Sequence, residues 1–441
     1  MIRRTIPILA GLGLAFLLSA GLAAGQEYYV ATDGADANPG TLEKPFKDPV
    51  KAAAKLQPGD TLLFRAGEYK CRTNGVVGIG PSRSGAEGKP ITFKNHQDEH
   101  VKIDCSGSDW GFTPNGWSWI VIDGFEIVND GGYGMKISAN HGNGKQTGEH
   151  VTVRNCEIHH TGNEGLFSFG TPHLTIENCH SHDAKRSHGF YLQVGCHNAV
   201  LRNLTSENNR GNSGIQLNAS FGGIKDVLVE RCLLRGNAQG FSTMGNSGCT
   251  FRHNVIVNNG YEGPRGSGYR ELIMWTETGK DGKPGNVCEG GLFENNTFVN
   301  LVPEGHKMSH IVHSKSGTRG YTFRNNLFVM KGKPILTLEN FEGFSFESNC
   351  LWRIGGGEEV SKGGSLAEFC KAKGLKESGN ISKDPMFADL EKGDLHLKDG
   401  SPCLGAGAKD KDGKARDIGA YQRGEEMRIG CKLPWKKDEA K

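Results

Sequence analysis

Short runs of alternating apolar and polar residues recur along most of the chain, too short for helices and too regular for loops. VTVRNCEI from Val151, LTIENCHS from Leu174, AVLRNLTS from Ala199, VLVERCLL from Val227, TFRHNVIV from Thr250, LFENNTFV from Leu292, YTFRNNLFV from Tyr321 and FSFESNCL from Phe344 superpose, with VIDGFEIV from Val121 as an earlier copy. Aligned on Gly124, Asn155, Asn178, Asn203, Arg231, His253, Asn295, Asn325 and Ser348, the copies stand 31, 23, 25, 28, 22, 42, 30 and 23 residues apart. Two residues before each anchor the side chain is always apolar: Ile122, Val153, Ile176, Leu201, Val229, Phe251, Phe293, Phe323 and Phe346. A period of two predicts strands that bury this column. It also turns inward the residue after each anchor: Phe125, Cys156, Cys179, Leu204, Cys232, Asn254, Asn296, Asn326 and Asn349. Buried amides must be hydrogen-bonded, so the asparagines predict an internal ladder in which each bonds the next.

Each repeat then passes a polar turn and a glycine into a second alternating strand that begins at Gly134, Gly165, Gly189, Gly214 and Gly240. Two or three short strands per repeat with no helix between them predict an all-β, single-stranded parallel β-helix of about eleven coils, since a propeller repeats at a longer period. Residues 46–56 read as a helix stopped by Gln57, Pro58, Gly59 and Asp60 before a strand at 61–64, a cap for the open edge of the first coil. After Trp352 a Gly- and Lys-rich segment with a short helix at 365–373 reads as the opposite cap. The expected organisation is an N-terminal cap at 26–60, the β-helix at 61–352, and a C-terminal cap and tail at 353–441.

Composition agrees with this picture. The 441 residues include 65 glycines and 30 asparagines, both poor helix formers. The 36% hydrophobic share is enough to bury a core. A net charge of +3 lacks the basic excess of a nucleic-acid binder. Arg3 and Arg4, the apolar run 6–22 and the small residues 23–25 read as an export signal at residues 1–25, cleaved after Gly25. A retained anchor is the alternative, with the run at the short edge of a spanning length. Export would put the twelve cysteines in an oxidising compartment. None has CxxC spacing, and neighbouring rungs strain a disulfide, so Cys156 and Cys179 are expected as free buried thiols.

The opening at 27–69 (EYYVATDGADANPGTLEKPFKDPVKAAAKLQPGDTLLFRAGEY), the repeats, and the ending at 384–421 (DPMFADLEKGDLHLKDGSPCLGAG, then DIGAY) resemble secreted right-handed parallel β-helix proteins of the pectate-lyase-like superfamily. The resemblance implies the right hand of the coil, a secreted, periplasmic or cell-surface location, and an extracellular polysaccharide as partner, with no nucleic acid and no membrane after signal cleavage. The chain is expected to be a monomer. The superfamily spans several chemistries, so the reaction must be read from the site.

Stacking of the second strands sets Lys136, Phe167, Tyr191, Gln216 and Ser242 in one outward column. Ser138, Phe169, Gln193, Asn218 and Met244 stand beside it, and Tyr133, Glu164, His188, Ser213 and Gln239 precede it. Sugar hydroxyls find polar partners there, and Phe167 with Phe169 would offer exposed faces for pyranose rings. A lyase acting on a uronate needs a cation or amide on the carboxylate, a base for the adjacent proton and an acid for the leaving oxygen. His188 and Tyr191 are candidates for base and acid, with Lys136, Lys185, Arg186, Arg210 and Gln216 as carboxylate or sugar ligands. Against each stands the plainer reading of a polar turn with a stacked Tyr.

A second cluster follows, in which Trp275 is expected beside His313 and Glu277 beside Lys315. The heptapeptide at 310–316 resembles the catalytic-lysine strand of the chondroitinase B and alginate lyase family, which implies Lys315 as base. His310 stands where that family has a calcium-binding acid, and Glu339 near where it has an Arg. Residues 33–38 and 410–417 have the composition of calcium loops and equally of ordinary turns, so calcium is a weak signal and no metal ligand is assigned. HExxH, GxxxxGK[ST] and GxSxG are absent. The expected function is a secreted lyase cleaving a uronate-containing polysaccharide by β-elimination. The alternatives are a glycoside hydrolase pairing Glu164 with Asp183 or Glu207, and a carbohydrate-binding protein without turnover.

Overall fold

The computed structural model describes residues 25–73, 76–138, 148–219, 222–260, 270–276, 285–301, 310–314, 317–331, 335–357, 359–361 and 364–436. Three long parallel sheets of 13, 11 and 8 strands wind around one core, each strand paired with its counterpart a coil earlier and a coil later. The first sheet holds the apolar column in register, with Ile122 level with Val153, Val153 with Ile176, and so on to Phe323 with Phe346. All nine residues are buried. In the later coils the column is aromatic, and the rings of Phe251, Phe293, Phe323 and Phe346 stack at successive centroid distances of 4.5, 5.0 and 5.3 Å.

Sharp bends separate the sheets, and they explain the composition. Every anchor from Gly124 to Ser348 has a positive φ, between 51° and 88°, and lies between a strand of the first sheet and one of the second. A second such column follows the second sheet at His160, Asp183, Asn208, Gly236 and Asn258, and a third precedes the first sheet at His150, His173, Asn198, Asp226, Gly248, Gly290, Gly320 and Gly343. Asparagine and glycine tolerate this left-handed region best. The glycines that open the third-sheet strands are needed for a different reason. A Cβ on Gly165 would stand 2.1 Å from Ser181 Oγ, and one on Gly189 2.2 Å from Ser206 Oγ.

The expected ladder is present. Asn254, Asn296, Asn326 and Asn349 each donate Nδ2–H to the next Oδ1, ending on Asn380, at 2.9, 2.9, 3.1 and 2.9 Å. Each of those oxygens also accepts the backbone N–H of the preceding ladder residue. A second ladder, not anticipated, runs from Asn209 to Asn237 to Asn259 and ends on the fully buried Glu271. The Glu271 carboxylate also takes the Asn259 N–H and the Asn300 amide. Burial pushes this acid up to about 8, against three N–H donors that favour its anion.

The first helix is shorter than expected, Pro49–Ala53, capped by Asp48 through the N–H groups of Val50 and Lys51. Phe46 instead lies in an isolated bridge to Val30. The second, Leu366–Lys373, has the Ser365–Glu368 capping box and a left-handed Gly374 at its end. Cys156 and Cys179 are free and buried, as expected. Cys71 and Cys105, on adjacent coils just after the paired strands Gly67–Lys70 and Val101–Asp104, are joined in a disulfide, so neighbouring rungs do support a bridge here.

The outward face of the second sheet turns apolar from Leu233 onward, through Val255, Val257, Val299, Leu327 and Val329. Such a face needs a cover, and Phe387, Leu395, Cys403, Ile418 and Ala420 from the C-terminal segment form a second core against it. From there the chain runs back along the solenoid. Gly419 N–H bonds the Asn325 carbonyl, Gly430 N–H the Arg231 carbonyl, Lys432 N–H the Asn178 amide oxygen, and Trp435 Nε1–H the Asn155 carbonyl.

Candidate functional site

The outer face of the third sheet carries the predicted columns in the predicted register. Lys136 is level with Phe167, Phe167 with Tyr191, Tyr191 with Gln216, and Gln216 with Ser242. Ile273 and His313 continue the line. His313 is therefore level with Ile273 rather than with Trp275, because the register of the later coils is two residues away from the expected one. Glu277 and Lys315 lie outside the described residues, as does the side chain of His313.

Tyr191 is the centre of the described site. Its phenol oxygen accepts N–H bonds from Gln193 Nε2 at 2.5 Å and Asn218 Nδ2 at 3.0 Å. Both donors come from the neighbouring outward column, on its own strand and on the next. The His188 ring lies 4.6 Å from the Tyr191 ring, and its Nδ1 accepts the Ser213 N–H at 3.2 Å. That bond makes Nε2 the protonated atom of the neutral imidazole. Glu164, one coil earlier than His188, accepts the Ser187 hydroxyl at 2.7 Å. Lys185, Arg186 and Arg210 are exposed on the turns that lead into these strands.

Tyr191 at 9% and His188 at 4% exposure are themselves buried, and two expected ligands are engaged elsewhere. Phe167 is buried at 6% exposure, packed between Tyr133 and Tyr191 at 5.5 Å from each, so it supports the site instead of offering a bare face. Gln216 is buried and donates Nε2–H to the Met244 sulfur at 3.2 Å. Lys136 is boxed by aromatics, with Nζ 2.9 Å from the Trp110 ring centroid and near Tyr133 and Phe167. Burial pulls its ammonium down to about 8, with Glu164 opposing the shift. The same burial raises Tyr133, which Glu164 raises further. The sequence reading missed Trp110, which precedes the third-sheet strands by a coil. It also missed Arg270, a half-buried cation that burial pulls below its ordinary value and Glu339 opposes. Alternation in the strand Arg270–Trp275 puts Arg270 on the side of the buried Leu272 and Met274, but its place three residues before Ile273, matching His188 before Tyr191, would have found it.

In the proposed hydrolase pairs each acid is engaged elsewhere: Asp183, at the bend after the second sheet, bonds His182, Glu207 on the outer face of that sheet bonds His180 and Arg235, and Glu164, just before a third-sheet strand, bonds Ser187. In the suggested calcium loops Asp36, Asp410 and Asp417 have protein partners, Asp417 holding the Gly405 and Arg423 N–H groups. Asp36 holds the Asp48 N–H and Lys51, and Asp410 holds the N–H groups of Asp412 and Lys414. Among the described residues no helix is long and apolar enough to cross a membrane.

Residues 28–190 match the family model of the Pel9A-like right-handed β-helix region. An uncharacterized protein of Bacillus subtilis (strain 168), YwoF, is 39% identical over 79 residues, 18% of this chain and only 16% of that protein. Pectate lyase L of Dickeya dadantii (strain 3937) is 24% identical over 433 residues, 92% of each chain. The crystal structure of pectate lyase Pel9A superposes with a TM-score of 0.58 at 20% identity, over 91% of this chain and 98% of that one, a likeness of fold. Residues 28–190 are thus a Pel9A-like right-handed β-helix region, and the three-sheet solenoid that continues beyond them shares the parallel β-helix fold of pectate lyase Pel9A.

Proposed function

We propose that this protein is an exported polysaccharide lyase that cleaves a uronate-containing polymer by β-elimination on the outer face of its third sheet. The observation that carries the reading is the Tyr191 oxygen, held by two amide N–H groups beside a histidine whose proton is fixed on Nε2. Amide donors stabilise negative charge on that oxygen, which suits it to remove the proton next to the uronate carboxylate. The phenol proton so gained passes on to the leaving glycosidic oxygen, which His188 Nε2–H steadies by a hydrogen bond while keeping its own proton. The C–H bond electrons form the new double bond, the C–O bond breaks, and the leaving oxygen departs as a hydroxyl. Lys185 and Arg186, exposed on the turn that leads into the Tyr191 strand, and Arg210 on the next are the cations assigned to draw in and neutralise the uronate. Pectate lyase L and Pel9A are lyases by name and share this fold, which favours elimination over hydrolysis.

The test is turnover on a panel of uronate and neutral polysaccharides, following ultraviolet absorbance of unsaturated ends together with reducing sugar. Absorbance on a uronate polymer is expected, with Tyr191→Phe and His188→Asn each slower by roughly 10²- to 10⁴-fold. Reducing ends without absorbance point to hydrolysis, absence of both points to binding alone, and elimination intact in both variants moves the chemistry to another part of the sheet.

A further inference from the structure

The outer face of the second sheet holds a cluster that the groove chemistry does not use. His180 and His182 alternate on one strand, both outward, around the fully buried Ser181. Register sets Glu157 level with His180 and His159 level with His182. Glu157 Oε1 lies 3.6 Å from His180 Nδ1 and 3.3 Å from His182 Nε2, and these ligand atoms all lie within 4.8 Å of one another. Ligands held at about 2.1 Å by a tetrahedral zinc ion stand roughly 3.4 Å apart.

The remaining ring nitrogens are spoken for in the manner of metal-bound histidines. His180 Nε2 bonds Glu207 at 2.9 Å, and His182 Nδ1 bonds Asp183 at 2.7 Å. An imidazole that binds metal through one nitrogen characteristically gives its other N–H to a carboxylate, which fixes the tautomer and raises its basicity. The His159 ring stacks on His182 at 4.8 Å and keeps its own Nε2 on Glu126, so it forms a wall. Glu157 faces two imidazoles and the Lys436 ammonium, which lies 2.7 Å from the same Oε1.

We propose that Glu157, His180 and His182 form a binding site for a divalent transition metal of the zinc class, three protein ligands with a fourth position open to water. Lys436 competes with the metal for Glu157 and, being half-exposed, can turn out to solvent.

The experiment is titration of the full chain with zinc chloride by calorimetry, paired with the absorption spectrum of its cobalt(II) complex. One equivalent should bind, with visible bands of a tetrahedral ion and no thiolate charge-transfer band. His180→Ala and Glu157→Gln should abolish saturable binding, and Glu207→Gln should weaken it roughly 10- to 100-fold. Lys436→Met should tighten it about two- to fivefold, the effect of removing one exposed competing charge. A gain of affinity cannot come from a damaged fold. His159, His160 and His182 offer a rival ligand set, so His160→Ala should leave binding unchanged. Absence of saturable binding, its survival in His180→Ala or Glu157→Gln, its loss in His160→Ala, or a thiolate band would each overturn the assignment.

Discussion

Lys136 shows two opposing demands on one charge. Three aromatic rings favour its ammonium through their negative faces, while removal from water disfavours it, and the net result lies at about 8 against an ordinary 10.5. Between these values the unfolded amine is protonated and the folded one is not, so the unfolded state binds more protons and stability rises with pH. Urea midpoints at pH 7.5, 9 and 10.5 should therefore climb more in the native protein than in Lys136→Met, whose curve lacks this contribution. Equal pH dependence in the two would mean that the rings fully offset the burial. The column containing Lys136 was legible because alternation and the preceding glycine fix which residues point outward. What covers them was not legible. Trp110 comes from an earlier coil, and nothing local says that Phe167 packs between Tyr133 and Tyr191 or that Gln216 turns to Met244.

At the scale of the element, the amide ladder is the device that lets a polar residue occupy the core of successive coils. Asn326 Oδ1 accepts both the backbone N–H and the side-chain amide of Asn296, while its own Nδ2–H groups reach Asn349 and the Phe293 carbonyl. Asn326→Ala leaves buried donors on Asn296 without an acceptor, a loss of roughly 2–4 kcal/mol. Cys179 occupies the same inward column several coils earlier, yet as a small buried thiol it carries no such obligation, so Cys179→Ala should cost only about 1 kcal/mol. Denaturant unfolding of the two variants measures the contrast, and similar losses would show that the column is held by packing alone. This ladder could be read from the sequence because its members keep one offset from the bend residue. The second ladder could not, since its last acceptor is Glu271, twelve residues beyond Asn259 within the long coil, where the spacing breaks down.

The whole molecule depends on its last fifty residues in a way that no repeat predicts. Alternation announces an apolar outer face on the later coils of the second sheet, but a period of two cannot say which distant segment covers it. The cover is the C-terminal segment, with Ile418 and Ala420 buried against Val255, Val299 and Leu327, and the strap beyond it crosses coils whose outward residues are Glu, His and Thr. The two parts should therefore fail differently when removed. A chain ending at residue 416 loses Ile418 and Ala420, uncovers an apolar strip of parallel strands, and should bind a hydrophobic dye and self-associate. A chain ending at residue 426 keeps Phe387, Leu395, Cys403, Ile418 and Ala420, and loses Ile429 from the edge of that core, the buried Leu433, the Trp435 ring stacked on His100, and the bonds to Arg231, Asn178, Thr205, Asn155 and Glu157. It exposes a charged face that water solvates well, so it should unfold at lower denaturant without associating. Sedimentation velocity and dye fluorescence on the two truncations separate these outcomes, and association of both would mean that the strap itself, and not the apolar cover, keeps the solenoid apart from its copies.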